Sequence, residues 1–136
     1  MHNCRFARTA LPIILWVMAA LFAISTPASA IAGTKFSATA LEEAQKAGKP
    51  ILIDITAPWC PTCKAQKPIL EKILAGDKFK NFVVLEVDFD SQKDVVRSMR
   101  ATMQSTLIVF KGAEEIGRSV GDTDPTSIET LLDMAL

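Results

Sequence analysis

The sequence has no excess charge of either sign, because 15 lysines and arginines balance 15 aspartates and glutamates. Proteins that bind nucleic acids or anionic membrane surfaces usually carry a basic patch, so this balance argues against both kinds of partner. The chain also has no internal repeats and no low-complexity tracts. Its 136 residues suffice for one domain with one hydrophobic core, and no second domain fits.

Long apolar runs are also lacking, with the exception of residues 10–24. This run has about 15 residues, which is short of the roughly 20 that a membrane-spanning helix needs. Arg5 and Arg8 precede the run, and the small residues Ala28-Ser29-Ala30 follow it. A basic segment, an apolar segment and a small-residue site predict a secretory signal peptide that is cleaved after Ala30. An uncleaved membrane anchor is the alternative.

The predicted signal peptide (residues 1–30) leaves a single predicted domain over residues 31–136. Export places that domain in a bacterial periplasm, or on the periplasmic side of the membrane if the signal remains as an anchor. His2 and Cys4 lie inside the signal, so the domain keeps two cysteines and no histidine. A closed zinc site of four cysteine and histidine ligands within one chain is therefore excluded.

The two remaining cysteines, Cys60 and Cys63, have the spacing of half a metal site, a redox pair or a fixed disulfide. A predicted strand (residues 51–56) leads into them, and a predicted helix (residues 60–74) follows. This context favours a redox pair, because a helix N-terminus stabilises a thiolate and the thiolate attacks disulfides. A fixed disulfide across so short a loop would stabilise the fold only weakly. Cys60 is the predicted nucleophile and Cys63 the resolving thiol.

The other segments alternate between helical and extended patterns. A first helix is predicted over residues 41–47, with Thr39 as its N-cap. Further strands are predicted over residues 82–88, 106–110 and 115–120, a helix over 91–100, and a last helix beginning at Pro125. Strands that alternate with helices predict an α/β fold, with a central mixed sheet and helices on both faces.

The motif Trp59-Cys60-Pro61-Thr62-Cys63-Lys64 resembles that of thioredoxin. Asp54 stands six residues before the first cysteine and Pro68 five residues after the second, as in that family. The resemblance extends from about residue 36 to the C-terminus. It implies a thioredoxin fold and a monomeric thiol–disulfide oxidoreductase that needs no cofactor and no metal.

The resemblance also implies roles for individual residues. Asp54 would be buried behind Cys63 and would accept its proton. The lysine that often partners this aspartate in the family is missing, because its position falls near Val84 or Leu85. The residues expected to dock a client protein are Trp59, Pro61, Thr62, Gln104, Ser105, Thr106 and Gly121.

Ser105 is the main departure from the family, which has a cis-proline at this position. A cis bond before serine costs roughly 2.5–4 kcal/mol, against about 0.5–1 before proline. The peptide bond before Ser105 is therefore either trans, or cis under strain. Two consequences follow as hypotheses: altered pairing with the client's cysteine segment, and access of a metal or iron–sulfur cluster shared by two chains. The third reading is that serine leaves function unchanged.

The function expected from this resemblance is an exported reductase of disulfides in partner proteins. Neither Pro61 nor Thr62 is basic, whereas strongly oxidising relatives carry a histidine between the cysteines; this favours a thiol pair that gives up electrons readily. Expected partners are disulfide-containing clients, such as cytochrome c or metal-site assembly proteins, and a membrane electron-transfer protein as reductant. The alternatives are a disulfide oxidant or isomerase of the same fold, or a metal- or cluster-binding module.

Overall fold

A five-stranded mixed sheet lies at the centre of the computed structural model, which describes residues 33–136. The strands are β1 (Thr34–Lys35), β2 (Pro50–Thr56), β3 (Val83–Asp88), β4 (Thr106–Lys111) and β5 (Glu114–Val120). They lie in the order β1-β3-β2-β4-β5. The pairs β1–β3 and β2–β3 are parallel, whereas β2–β4 and β4–β5 are antiparallel. The α/β thioredoxin fold predicted from the sequence is confirmed.

Helices cover both faces of this sheet. They are α1 (Ala38–Lys46), α2 (Pro61–Leu74), α3 (Lys93–Ser98) and α4 (Pro125–Asp133), with a short 3-10 helix (Asp77–Phe79) after α2. Within residues 33–136, no helix has both the length and the apolar character to cross a membrane.

The core is divided in two by the sheet, because successive side chains of a strand point to opposite faces. Leu52 packs with Leu70 of α2 and Ile128 of α4, whereas its neighbours Ile51 and Ile53 pack on the other face. All five of these side chains are buried. The central strand β2 is therefore apolar on both faces, as its sequence predicts.

The predicted elements differ from the observed ones mainly near the start of the domain. Ser37, not Thr39, caps α1, and its hydroxyl accepts the N–H of Ala40 at 3.1 Å. The prediction was wrong because the helix begins at Ala38, before its first apolar side chain. Strand β1 and the 3-10 helix were not predicted. The proposed signal peptide over residues 1–30 lies outside the described residues, and the domain division remains a prediction.

The sheet brings the segments of the predicted site to one end of the molecule. Ile55, near the end of β2, pairs with Thr106 at the start of β4. Thr106 in turn pairs with Val120 at the end of β5. The loop before β4, the turn after β5 and the cysteine motif after β2 therefore lie at the same end of the sheet.

Candidate active site

Cys60 and Cys63 form a disulfide at the N-terminus of α2, with their Cα atoms 5.3 Å apart. Cys60 is the N-cap of the helix, and its Sγ accepts the backbone N–H of Cys63 at 3.1 Å. Pro61 occupies the first helical turn, where a missing N–H costs nothing. In the reduced protein, the same N–H and the helix dipole would stabilise a thiolate on Cys60.

Both cysteines are nearly inaccessible, with Cys60 1% and Cys63 7% exposed. They form a small apolar cluster with Ala57, and Phe89 packs against it. A partner must therefore approach the sulfurs through the exposed surface around them.

Trp59 is the most exposed large apolar side chain in the described part of the chain, at 55%. Its indole Nε1 donates a hydrogen bond to Asp90 Oδ2 at 2.7 Å. This bond fixes the orientation of the ring beside the disulfide, and sequence reasoning did not find Asp90. Met103 and Val120 also expose more than half of their side chains at this end of the sheet. The docking role of Trp59 stays a prediction, and sequence reasoning did not single out Met103 or Val120.

Asp54 lies on β2 beside a cavity of about 20 Å³, which is large enough for a single water molecule. The cavity is also lined by Lys67 and Glu71 of α2 and by Glu86 of β3. Burial raises the pKa of Asp54 to about 7; Glu86 adds to the rise and Lys67 opposes it. A carboxyl group with this pKa can exchange protons near neutral pH.

The expected lysine position, near Val84 or Leu85, does not face Asp54, because these two residues pair with Leu52 and Ile53. The β3 residue that pairs with Asp54 is Glu86, so the neighbouring strand offers it no lysine. Lys67 of α2 provides a cation at the cavity instead. Glu86 is next to Asp54 in the register of β2 and β3. Sequence reasoning missed both residues; the available signal for Lys67 was its spacing of four residues from Cys63, which is about one helical turn.

Ser105 is buried and has a positive φ of 59°, and residues 33–136 contain no cis peptide bond. Of the two geometries left open by the sequence, the structure therefore has the trans peptide. The Ser105 hydroxyl donates to Gln66 Oε1 at 2.8 Å, and its carbonyl accepts the N–H of Gly121 at 2.8 Å. Gln66, like Asp90, Lys67 and Glu86, is a residue that sequence reasoning missed.

The remaining predicted docking residues surround this loop and the first turn of α2. Gln104 and Thr62 are half-buried, and Pro61 is exposed. Thr106 is buried, and its hydroxyl donates to the carbonyl of Met103 at 2.7 Å. Among the described residues, no group of three or more histidine, cysteine or acidic side chains is arranged to hold a metal ion.

A disulfide that caps a helix after the central strand of this sheet defines a thioredoxin-type thiol–disulfide oxidoreductase. Sequence comparison agrees, because the thioredoxin family matches residues 32–134. The chain therefore belongs to the thioredoxin family.

Several proteins resemble this chain at moderate sequence identity. A thioredoxin of Coprinus comatus is 34% identical over 89 residues, which cover 65% of this chain and 83% of that protein. A thioredoxin of Chlamydia trachomatis is 37% identical over 82 residues, which cover 60% of this chain and 78% of that protein. The crystal structure of Trxlp from Edwardsiella tarda matches with a TM-score of 0.70 and 37% identity, covering 72% of this chain and 95% of that one.

The raised pKa of Asp54 predicts a pH-dependent cost in stability. Between the unfolded pKa of 3.8 and the folded value of about 7, the folded protein holds a proton that the unfolded chain has released. Stability therefore falls as the pH rises through this window. We expect Asp54→Asn to increase the free energy of unfolding by roughly 2–4 kcal/mol at about pH 8 and by much less at about pH 4. Urea denaturation at both pH values measures this difference.

The matched control is Asp77→Asn, which changes an exposed aspartate outside the cavity. This variant should show the same difference in free energy of unfolding between the two pH values as the wild type. If Asp54→Asn increased the free energy of unfolding equally at both pH values, Asp54 would not titrate in this window.

Because Lys67 and Glu86 carry opposite charges, removing one or the other should shift the pKa of Asp54 in opposite directions. Lys67→Met should raise the pKa of Asp54 further, because it removes the cation, whereas Glu86→Gln should lower it. Carboxyl ¹³C NMR titration of the oxidised protein follows Asp54 directly. Lys72→Met changes an exposed lysine on the same helix and should leave the titration unchanged. Equal shifts in the two lysine variants would contradict a specific effect of Lys67.

Proposed function

We propose that this protein is an exported reductase of disulfides in partner proteins. The observation that carries the proposal is the Cys60–Cys63 disulfide at the start of α2, with the N–H of Cys63 directed at the Cys60 sulfur. This geometry supports Cys60 as the nucleophile, because a thiolate forms best where N–H groups converge on the sulfur.

The reaction begins with the reduced protein. The Cys60 thiolate attacks one sulfur of the client's disulfide, forming a mixed disulfide and releasing the client's other sulfur as a thiolate, which takes a proton from water. Cys63 then loses its proton to Asp54 and attacks the Cys60 sulfur. The second client sulfur leaves and is protonated, so the client is reduced by two electrons and the protein ends as the disulfide.

Asp54 suits the role of proton acceptor because burial raises its pKa to about 7. A base of this strength is about half ionised at neutral pH and more so above it, and it still binds a proton well enough to accept one from a thiol. Lys67, one turn after Cys63, lines the same cavity as Asp54. The protonation of Asp54 therefore depends on the helix that carries the resolving cysteine.

The direction of electron flow is proposed from the residues between the cysteines. Pro61 and Thr62 bear no charge, so they add no stabilisation to the Cys60 thiolate beyond that of the helix. A less stabilised thiolate makes the reduced form a better electron donor. A membrane electron-transfer protein would re-reduce the disulfide, and the clients would be cysteine pairs kept reduced outside the cytoplasm, such as those of cytochrome c or metal-site assembly proteins.

The reduction potential of the Cys60–Cys63 pair tests this direction. We expect a value near that of thioredoxin, about −270 mV, after equilibration with dithiothreitol buffers. A value near about −120 mV would make the protein a disulfide donor and would overturn the reductase assignment.

Two assays separate the alternative functions from a reductase. Restoration of activity to a scrambled disulfide protein would indicate an isomerase. Stoichiometric metal or cluster in the purified protein, without reduction of insulin disulfides, would indicate the binding module that the serine at position 105 suggested.

Export is proposed from the sequence pattern of residues 1–30. Expressed in a bacterium with its full sequence, the protein should appear in the periplasmic fraction with a mass that corresponds to a chain beginning at Ile31. A full-length chain in the membrane fraction would support the anchor instead. A full-length chain in the cytoplasm would contradict export, while leaving the chemistry of the domain untouched.

A further inference from the structure

Gln66 is a buried polar side chain that has no role in the reaction described above. It is 1% exposed and lies on α2, three residues after Cys63. Cys63, Gln66 and Leu70 share the buried face of the helix. Since an unpaired amide in the interior is costly, its partners indicate what it does there.

Both halves of the Gln66 amide are used, and each one reaches a different loop. Its Oε1 accepts the hydroxyl of Ser105 at 2.8 Å, and its Nε2 donates to the carbonyl of Asp122 at 2.6 Å. The N–H of Gly121 donates to the carbonyl of Ser105 at 2.8 Å. One side chain thus connects the cysteine-bearing helix to the loop before β4 and to the turn after β5.

Ser105 depends on this network more than an ordinary loop residue would. Its φ of 59° lies in the left-handed region, which residues other than glycine rarely adopt. No proline ring constrains the loop, so its conformation is held by hydrogen bonds. The bond from Ser105 to Gln66 is buried, and buried hydrogen bonds resist competition from water.

We propose that Gln66 is a positioning residue for thiol–disulfide exchange with polypeptide clients. By holding Ser105 and Asp122 against α2, it fixes the surface formed by Gln104, Ser105 and Gly121, on which an extended client segment would lie next to the disulfide. Both hydrogen bonds of the Gln66 amide go to these loops, and neither goes to a cysteine sulfur. This inference rests on the proposed function, because it concerns how the same site receives its substrate.

The proposal separates two kinds of substrate. A polypeptide disulfide must align its backbone with the loop before its sulfur can meet Cys60. A small aromatic disulfide needs only access to the sulfur. Disturbing the loop should therefore weaken the reaction with the polypeptide and spare the reaction with the small molecule.

Gln92 provides a matched control on the other side of the sheet. Its Oε1 accepts the N–H of Asp88 at 3.0 Å, and its Nε2 donates to the carbonyl of Phe36 at 3.2 Å. Like Gln66, it connects distant segments through both halves of its amide, but it contacts neither Ser105 nor the turn at Gly121. Gln92→Met thus removes the same chemical groups while it leaves the hydrogen bonds of Ser105 to Gln66 and Gly121 in place.

The experiment compares Gln66→Met and Gln92→Met in two assays. With dithiothreitol as the electron source, Gln66→Met should raise KM for insulin roughly tenfold with kcat within about twofold, because it removes substrate positioning and not chemistry. After reduction and removal of dithiothreitol, its single-turnover rate with 5,5′-dithiobis(2-nitrobenzoate) should match that of the wild type, because the Cys60–Cys63 pair is then the electron donor. Gln92→Met should leave both assays unchanged, even if thermal melting shows a comparable loss of stability. An unchanged insulin KM in Gln66→Met, or an equal loss in both assays, would overturn the proposal.

Ser105→Gly gives a second, independent variant, because glycine accepts the positive φ and the side chain that bonds to Gln66 is lost. It should raise the insulin KM as Gln66→Met does, and the double variant should be no worse than the worse single variant. If the double variant instead raised the insulin KM by the product of the two single effects, the two side chains would act separately, which would contradict the network. Wild-type protein that reduces neither substrate would overturn the proposed function itself, whereas an active wild type with unaffected variants would overturn only the role of Gln66.

Discussion

The rest of the site depends on one contact, the cap that Cys60 places on α2. The first N–H groups of a helix lack partners within the helix, and an oxygen of serine, threonine or aspartate usually accepts them. Here the sulfur of Cys60 accepts the N–H of Cys63. The atom that satisfies the helix is thus also the atom that would react, and the donors that stabilise the helix end also stabilise negative charge on the sulfur. Any change that displaces the start of α2 acts on structure and reactivity together.

Much of the fold could be predicted because its signals are local. Strand β2 is an apolar run that only Asp54 interrupts, and Pro125 follows the capping residue Asp124 at the start of α4. Strand β1 gave no such signal, because it has two exposed residues and joins the sheet through backbone pairing with β3. Backbone pairing at a sheet edge leaves no periodic pattern in the side chains.

The residues of the site also divide into those that a local sequence signal identifies and those that it does not. The cysteines and Asp54 lie in or near one motif, so a single stretch of sequence identifies them. Gln66, Glu86 and Asp90 could not be predicted, because their partners are distant in sequence or lie on another strand. The bond between Gln66 and Ser105 joins residues 39 positions apart. Ser105 could be identified as unusual from the sequence, but its effect on the loop depends on a partner that only the fold reveals.

Burial dominates the electrostatics around Asp54, followed by the charge of Glu86, and the place of the nearby lysine modifies them. A lysine on the neighbouring strand would be fixed with respect to Asp54, since paired strands hold their spacing. In this protein the strand instead carries Val84 and Glu86, and the cation is Lys67 on α2. Because the attraction between charges falls with their separation, a movement of α2 changes the pKa of Asp54. The same movement shifts Cys63, whose proton Asp54 would accept. The position of one helix therefore affects the strength of the base, through Lys67, as well as the placement of the thiol that it would serve.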